Sequence, residues 1–151
     1  MREERQFYIN GKWTDPIDGK DFPVIDPSTE EPCATISLGG QADAEAAIAA
    51  AKSAFASWSL STKQERLDLL RSILDVYTRN SDAMGEAISR EMGAPIDMAK
   101  ASQSGSGTEH IQDFINTLEA FEFEGEKRPG TPNDRMLREP IGVCSLITPW
   151  N

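Results

Sequence analysis

The residue whose position most invites chemistry is Asn151. It ends the run Pro140-Ile141-Gly142-Val143-Cys144-Ser145-Leu146-Ile147-Thr148-Pro149-Trp150-Asn151, so its carboxamide follows a strand-like apolar stretch, behind a proline and a tryptophan that stiffen the approach. A side-chain amide N–H held at a strand's C-terminal end can donate to a developing oxyanion, and ligands of open α/β folds gather at that end of the sheet. Pro-Trp-Asn also reads as an ordinary turn. The other candidates are plainer. Cys144 lies inside the apolar run with no basic partner in view, and it reads as a small core hydrophobe rather than a nucleophile. Cys33 reads the same way. His110, between polar residues of a helical stretch, reads as a surface or packing residue. Glu119, Glu122, Glu124 and Glu126 read as a solvated acidic face rather than a cation site. Gly105-Ser106-Gly107 begins like a dinucleotide fingerprint but lacks the third glycine and follows no strand. The sequence holds no P-loop, no G-x-S-x-G elbow and no H-E-x-x-H.

The elements that must position these residues fall into a β-rich front and a helical middle. Phe7-Tyr8-Ile9 and Lys12-Trp13-Thr14 flank Asn10-Gly11, a pair suited to the positive φ angles of a type I′ hairpin. Phe22 to Asp26 and Cys33 to Leu38 form a second strand pair around Pro27-Ser28-Thr29-Glu30-Glu31, and Gly39-Gly40 closes this region. From Ala42 the period is helical, with Ala44, Ala47, Ile48, Ala51, Phe55 and Trp58 on one face. A second helix is announced by Thr62 and Glu65 at capping-box spacing, with Leu67, Leu70, Ile73, Leu74 and Tyr77 as its buried stripe. A third starts near Ser81, carries Met84, Ala87, Ile88 and Met92, and stops where Gly93 can take a left-handed C-cap and Pro95 cannot continue. The stretch from Ile96 to about Phe123 reads as one long helix despite its Ser- and Gly-rich middle, because apolar periodicity resumes after it; a linker is the other reading. Met136 to Glu139 reads as a short exposed strand. The run from Pro140 to Thr148 reads as a buried strand of the continuous kind found in parallel sheets.

Composition narrows the function classes. With 15 Lys+Arg against 25 Asp+Glu, the net charge of −10 argues against sequence-independent nucleic-acid binding and against docking on anionic lipid. No apolar run approaches the ~20 residues of a transmembrane helix. The N-terminus lacks a signal peptide's apolar core, so a cytoplasmic address is expected. Two cysteines and one histidine provide neither a disulfide framework nor a metal site.

Taken in order, the sequence resembles the N-terminal part of the NAD(P)-dependent aldehyde dehydrogenase superfamily. The resemblance runs through Ile9-Asn10-Gly11-Lys12-Trp13, Val24-Ile25-Asp26-Pro27-Ser28-Thr29-Glu30, Ala54-Phe55-Ala56-Ser57-Trp58, Glu65-Arg66-Leu67 with Leu70-Arg71, Glu91-Met92-Gly93-Ala94-Pro95, and Arg138-Glu139-Pro140-Ile141-Gly142-Val143 leading to Pro149-Trp150-Asn151. No single motif is decisive, but their order and spacing are specific.

The resemblance implies an α/β fold, the N-terminal part of a Rossmann-type coenzyme-binding domain, with β-hairpins followed by packed helices. Residues 1–132 would belong to that domain, 133–140 to an oligomerisation hairpin reaching a partner subunit, and 141–151 to the first strand of the coenzyme sheet. Ile147, Thr148, Pro149 and Trp150 match the segment along the nicotinamide and ribose side of NAD or NADP. Asn151 matches the oxyanion-hole asparagine. Ile25 and Glu91 lie where family members hold a structural monovalent cation, in part through a backbone carbonyl. Residues around Ser102 to Thr108 would border the aldehyde entrance, and their small polar side chains suggest a roomy or polar mouth. The implied reaction oxidises an aldehyde to a carboxylic acid through a cysteine thiohemiacetal and a thioester, in a homodimer or homotetramer. Gly93-Ala94-Pro95 stands where the family usually has Gly-Lys-Pro. The family's nucleophilic cysteine, general-base glutamate and pyrophosphate loop would lie beyond Asn151, and neither Cys33 nor Cys144 matches the nucleophile's context. The 151 residues alone are therefore expected to be inactive. The alternative is a non-catalytic module acting in assembly or protein interaction.

Overall fold

The hairpin between β2 (Phe7–Ile9) and β3 (Lys12–Thr14) turns through Asn10 and Gly11 at φ 53° and 76°, the positive pair that a type I′ turn demands. The computed structural model describes residues 2–130 and 133–148. A three-stranded sheet has the order β1–β5–β4, in which β4 (Lys20–Asp26) runs antiparallel to β5 (Glu31–Leu38) and β1 (Arg2–Glu4) runs parallel to it. The register of the β4–β5 pair shifts between Val24 and Ile25, a bulge beside Pro32, which has no N–H to give to a ladder. Strand β1 is a finding that the charged run Arg2-Glu3-Glu4 does not announce, since no apolar alternation marks it.

Helix α1 (Gln41–Trp58) starts directly after Gly39-Gly40. Its expected apolar face stands largely open among the described residues. Ile48 is 57% and Trp58 48% exposed, and Ala44, Ala47 and Ala51 are exposed too. Helix α2 (Lys63–Arg79) has the cap its sequence announces: Thr62 Oγ1 accepts the Glu65 N–H at 3.2 Å while Glu65 Oε2 accepts the Thr62 N–H at 2.7 Å. Two orphan donors are thereby satisfied reciprocally. Its stripe is buried at Leu67 and half-buried at Leu70, Leu74 and Tyr77, whereas Ile73 faces out. Helix α3 (Ser81–Met92) ends on Gly93 at φ 79°, the left-handed cap, with Met84 on its exposed side.

The Ser- and Gly-rich stretch is helix, not linker. A short α4 (Ile96–Met98) passes into a π-turn (Ala99–Ser104) and then into α5 (Gly105–Ala120). Ile88, Ala94 and Ala99 form the buried apolar cluster where α3 meets this turn. A final hairpin pairs β6 (Glu124–Glu126) with β7 (Arg135–Leu137) antiparallel, so the strand expected over Met136 to Glu139 begins one residue earlier and stops at Leu137, and it is exposed as expected.

The run from Pro140 to Thr148 departs from its expectation. It is extended but belongs to no sheet among the described residues, and it is open to solvent, with Ile141 94%, Leu146 89% and Ile147 90% exposed. A buried parallel strand needs neighbours on both edges and helices on both faces, and among the described residues no strand pairs with this run.

Candidate functional site

The tail is fixed at its root by Arg138. Its main-chain N–H donates to the Phe123 carbonyl at 2.9 Å, its guanidinium donates to the Glu122 carbonyl at 2.9 Å, and its Cζ lies 5.2 Å from the centroid of the Phe121 ring. Phe121 in turn meets Phe123 edge-on at 5.0 Å, and Arg66 of α2 lies over Phe123 at 5.5 Å. Guanidinium groups over aromatic faces are held by the ring quadrupole as well as by hydrogen bonds, so this corner joins α2, the end of α5 and the start of the tail. The sequence carries no signature for the corner, because its partners come from separate elements.

Beyond the corner, Gly142 sits at φ 142°, a backbone angle that side chains rarely adopt. The chain then runs beside α1, where Val143, Cys144 and Ser145 share a groove with Ala44, Ala47, Ile48 and Ala51. Cys144 is exposed, which corrects the expectation of a core residue; the reason is again the absence of a covering strand among the described residues. Ile147 and Thr148 lie exposed at the far end of this segment. Pro149, Trp150 and Asn151, the other residues expected at the coenzyme and oxyanion site, lie outside the described residues.

Ile25 and Glu91 stand on neighbouring elements. Ile25 is in β4 and 43% exposed, and Glu91 is in the exposed last turn of α3. The two elements meet where Gly93 follows α3, close enough to Pro27 that a Cβ on Gly93 would lie 2.8 Å from Pro27 Cγ. Among the described residues no group of three or more His, Cys, Asp or Glu side chains could hold a metal ion, so the acidic side chains alone make no centre. Glu119 is engaged by Arg71 at 2.6 Å and Glu124 by Arg135, while Glu126 accepts the Gly130 N–H at 3.1 Å. The acidic face is thus exposed, with Glu119, Glu124 and Glu126 engaged. His110 is exposed on α5. Cys33 is half-buried, its Sγ donating to the Val24 carbonyl at 3.4 Å. Gly105 and Gly107 lie within a helix, which excludes a phosphate-cradling loop there. Of the stretch expected at the aldehyde entrance, Ser102 is exposed, Ser104 is fully buried and Gly105 to Thr108 are half-buried, so only part of it can face a mouth.

The family model for the aldehyde dehydrogenase family matches residues 13–151. The chain belongs to this family. Along its whole length it is 40% identical to a 3-succinoylsemialdehyde-pyridine dehydrogenase of a Pseudomonas species, of which it covers 31%. A crystal structure of an aldehyde dehydrogenase from Bartonella henselae superposes with a TM-score of 0.86 at 48% identity, over 87% of this chain and 28% of that one. An aldehyde dehydrogenase mutant of Pseudomonas syringae, solved with NAD+ and octanal, superposes with a TM-score of 0.79 at 33% identity, over 82% of this chain and 26% of that one. The chain therefore spans about a third of the length of the curated relatives that it matches. The helices and hairpins described above are the family's α/β fold over that share. No helix among the described residues is long and apolar enough to cross a membrane.

Proposed function

We propose that the intact protein carrying these residues is an NAD(P)-dependent aldehyde dehydrogenase, converting an aldehyde, water and NAD(P)+ to a carboxylic acid, NAD(P)H and a proton. The observation that carries this reading is 40% identity, along the whole of this chain and 31% of the relative, to a semialdehyde dehydrogenase, together with the NAD+ and octanal bound by the Pseudomonas syringae relative. The coenzyme, when bound, accepts hydride from the substrate carbon. The residues present fit its nicotinamide side: Ile147 offers an open apolar side chain and Thr148 a hydroxyl, both exposed, as a ring with an attached ribose requires. On this reading Asn151 donates its carboxamide N–H to the aldehyde oxygen as negative charge builds there, while Pro149 and Trp150 limit its freedom. On this reading neither exposed Cys144 nor half-buried Cys33 is the nucleophile, and another cysteine of the intact protein would attack the aldehyde carbon.

The same reading assigns residues 133–140, which include β7, to a contact with a second subunit, and residues 141–151 to the strand that opens the coenzyme sheet. Ile25, through its carbonyl, and Glu91 would lend oxygens to a monovalent cation whose remaining ligands come from elsewhere. The test is turnover. The intact protein should form NADH or NADPH in the presence of a member of an aldehyde panel. A folded protein that reduces neither coenzyme with any aldehyde of the panel overturns the proposal.

A further inference from the structure

The π-turn is held at three points by two helices. Tyr77 of α2 donates its hydroxyl to the Ser104 carbonyl at 3.0 Å, where the π-turn hands over to α5. Ser104 Oγ donates to the Ser81 carbonyl at 2.8 Å, tying the same residue to the start of α3. Lys100 lies against Gly85 of α3, where a Cβ would stand 2.9 Å from Lys100 Cα, and its ammonium reaches Glu86 at 3.1 Å and Asp82 at 3.7 Å. Gly107 makes room for the tyrosine: a Cβ there would lie 2.5 Å from Tyr77 Cζ.

The phase of the helix depends on this turn. Ala99 and Ser104 are both fully buried, at 0% exposure, yet they are five residues apart. An uninterrupted α-helix advances about 100° per residue and would set them roughly 140° apart around the axis, so both could not face α3. The extra residue accommodated by π geometry brings them to one side. With an α-helical ladder through 99–104, either Ala99 would leave the cluster with Ile88 and Ala94 or Ser104 would lose Ser81.

We propose that Tyr77 is a positioning residue that selects the π form of Ala99–Ser104, with Gly107 as the gap that admits it, and so sets the rotational phase of Ile96–Met98 relative to α5. The turn is a two-state element, π or α, and the tyrosine hydroxyl favours the first by supplying a donor from outside the helix. The assignment is independent of the reaction that the intact protein catalyses.

Hydrogen exchange on the intact protein tests it. Tyr77→Phe should accelerate amide exchange across 99–108 by about fivefold, the usual worth of one net hydrogen bond, while α1 exchanges as before. Gly107→Ala should lower Tm in the native background, because its Cβ collides with the Tyr77 ring. In a Tyr77→Leu background the same change should raise Tm, since alanine is then simply a better helix former than glycine. A crystal structure of the Tyr77→Leu/Gly107→Ala protein should show i→i+4 hydrogen bonds through 99–104. An unchanged π-turn in that structure overturns the proposal, as does equal acceleration of exchange in all helices or the same sign of Gly107→Ala in both backgrounds.

Discussion

The carboxylate of Asp43 accepts the main-chain N–H of Ile17 at 2.7 Å and that of Gly40 at 2.9 Å. One buried side chain thus fastens the loop before β4 to the first turn of α1. These two amides, Ile17 first, hold its carboxyl below the usual carboxylate range, because hydrogen bonds to the charged form favour it.

That depression fixes the sign of a pH effect. A carboxylate whose folded pKa is lowered stabilises the fold fully above its unfolded value, and the contribution is lost as pH falls through the folded value. Asp43→Asn, which keeps the shape but turns one acceptor into a donor, should lower Tm at neutral pH. The gap to the native protein should begin to narrow below about pH 4, the unfolded range of an aspartate, and close further down. Thermal melts of both proteins from pH 7 to pH 2 check this, and a gap independent of pH would show that Asp43 does not act through its charge.

The cap of α2 gives a prediction of known size. Thr62→Ala removes the oxygen that accepts the Glu65 N–H, and loss of such a cap costs about 1 kcal/mol. Thr62→Ser keeps the oxygen and should restore most of it. Denaturant unfolding of the two variants separates the cap from any role of the threonine methyl.

At Gly93 two costs coincide. Its φ of 79° is a left-handed angle that costs a residue with a Cβ roughly 1–2 kcal/mol, and the added methyl would press on Pro27. Gly93→Ala should therefore destabilise by at least that amount, and combining it with Pro27→Ala should recover only the contact share. Full recovery in the double variant would mean that backbone strain contributes nothing.

These sites show which parts of the fold were legible. Asn10-Gly11, Thr62 with Glu65, and Gly93 were readable because each meets its requirement within a few residues of chain. The π-turn was not, because its selection comes from Tyr77, Ser81 and Gly85 on other helices, while Ser102 to Gly107 taken alone read only as poor helix. Strand β1 was hidden for a related reason: parallel pairing to β5 depends on a distant partner and asks little of Arg2, Glu3 or Glu4. The run from Val143 to Ile147 shows the converse. Its apolar side chains specify a buried environment, but burial is a property of neighbours, and among the described residues no strand pairs with it. Of the candidate site, the approach through Arg138 to Thr148 is described and Asn151 is not, so its role rests on the Pro149-Trp150-Asn151 motif.

Asn151 is where the proposed reaction makes its sharpest demand on this chain. If its amide N–H is the donor to the oxyanion, its benefit is larger in the transition state than in the bound aldehyde, because charge on oxygen exists chiefly in the former. Asn151→Ala in the intact protein should then cut kcat by about a hundredfold or more with a much smaller change in KM, the pattern of an interaction made in the transition state. Steady-state kinetics with a substrate from the aldehyde panel measure both. A variant that keeps kcat while KM rises would make Asn151 a binding residue and place the oxyanion donor elsewhere in the protein.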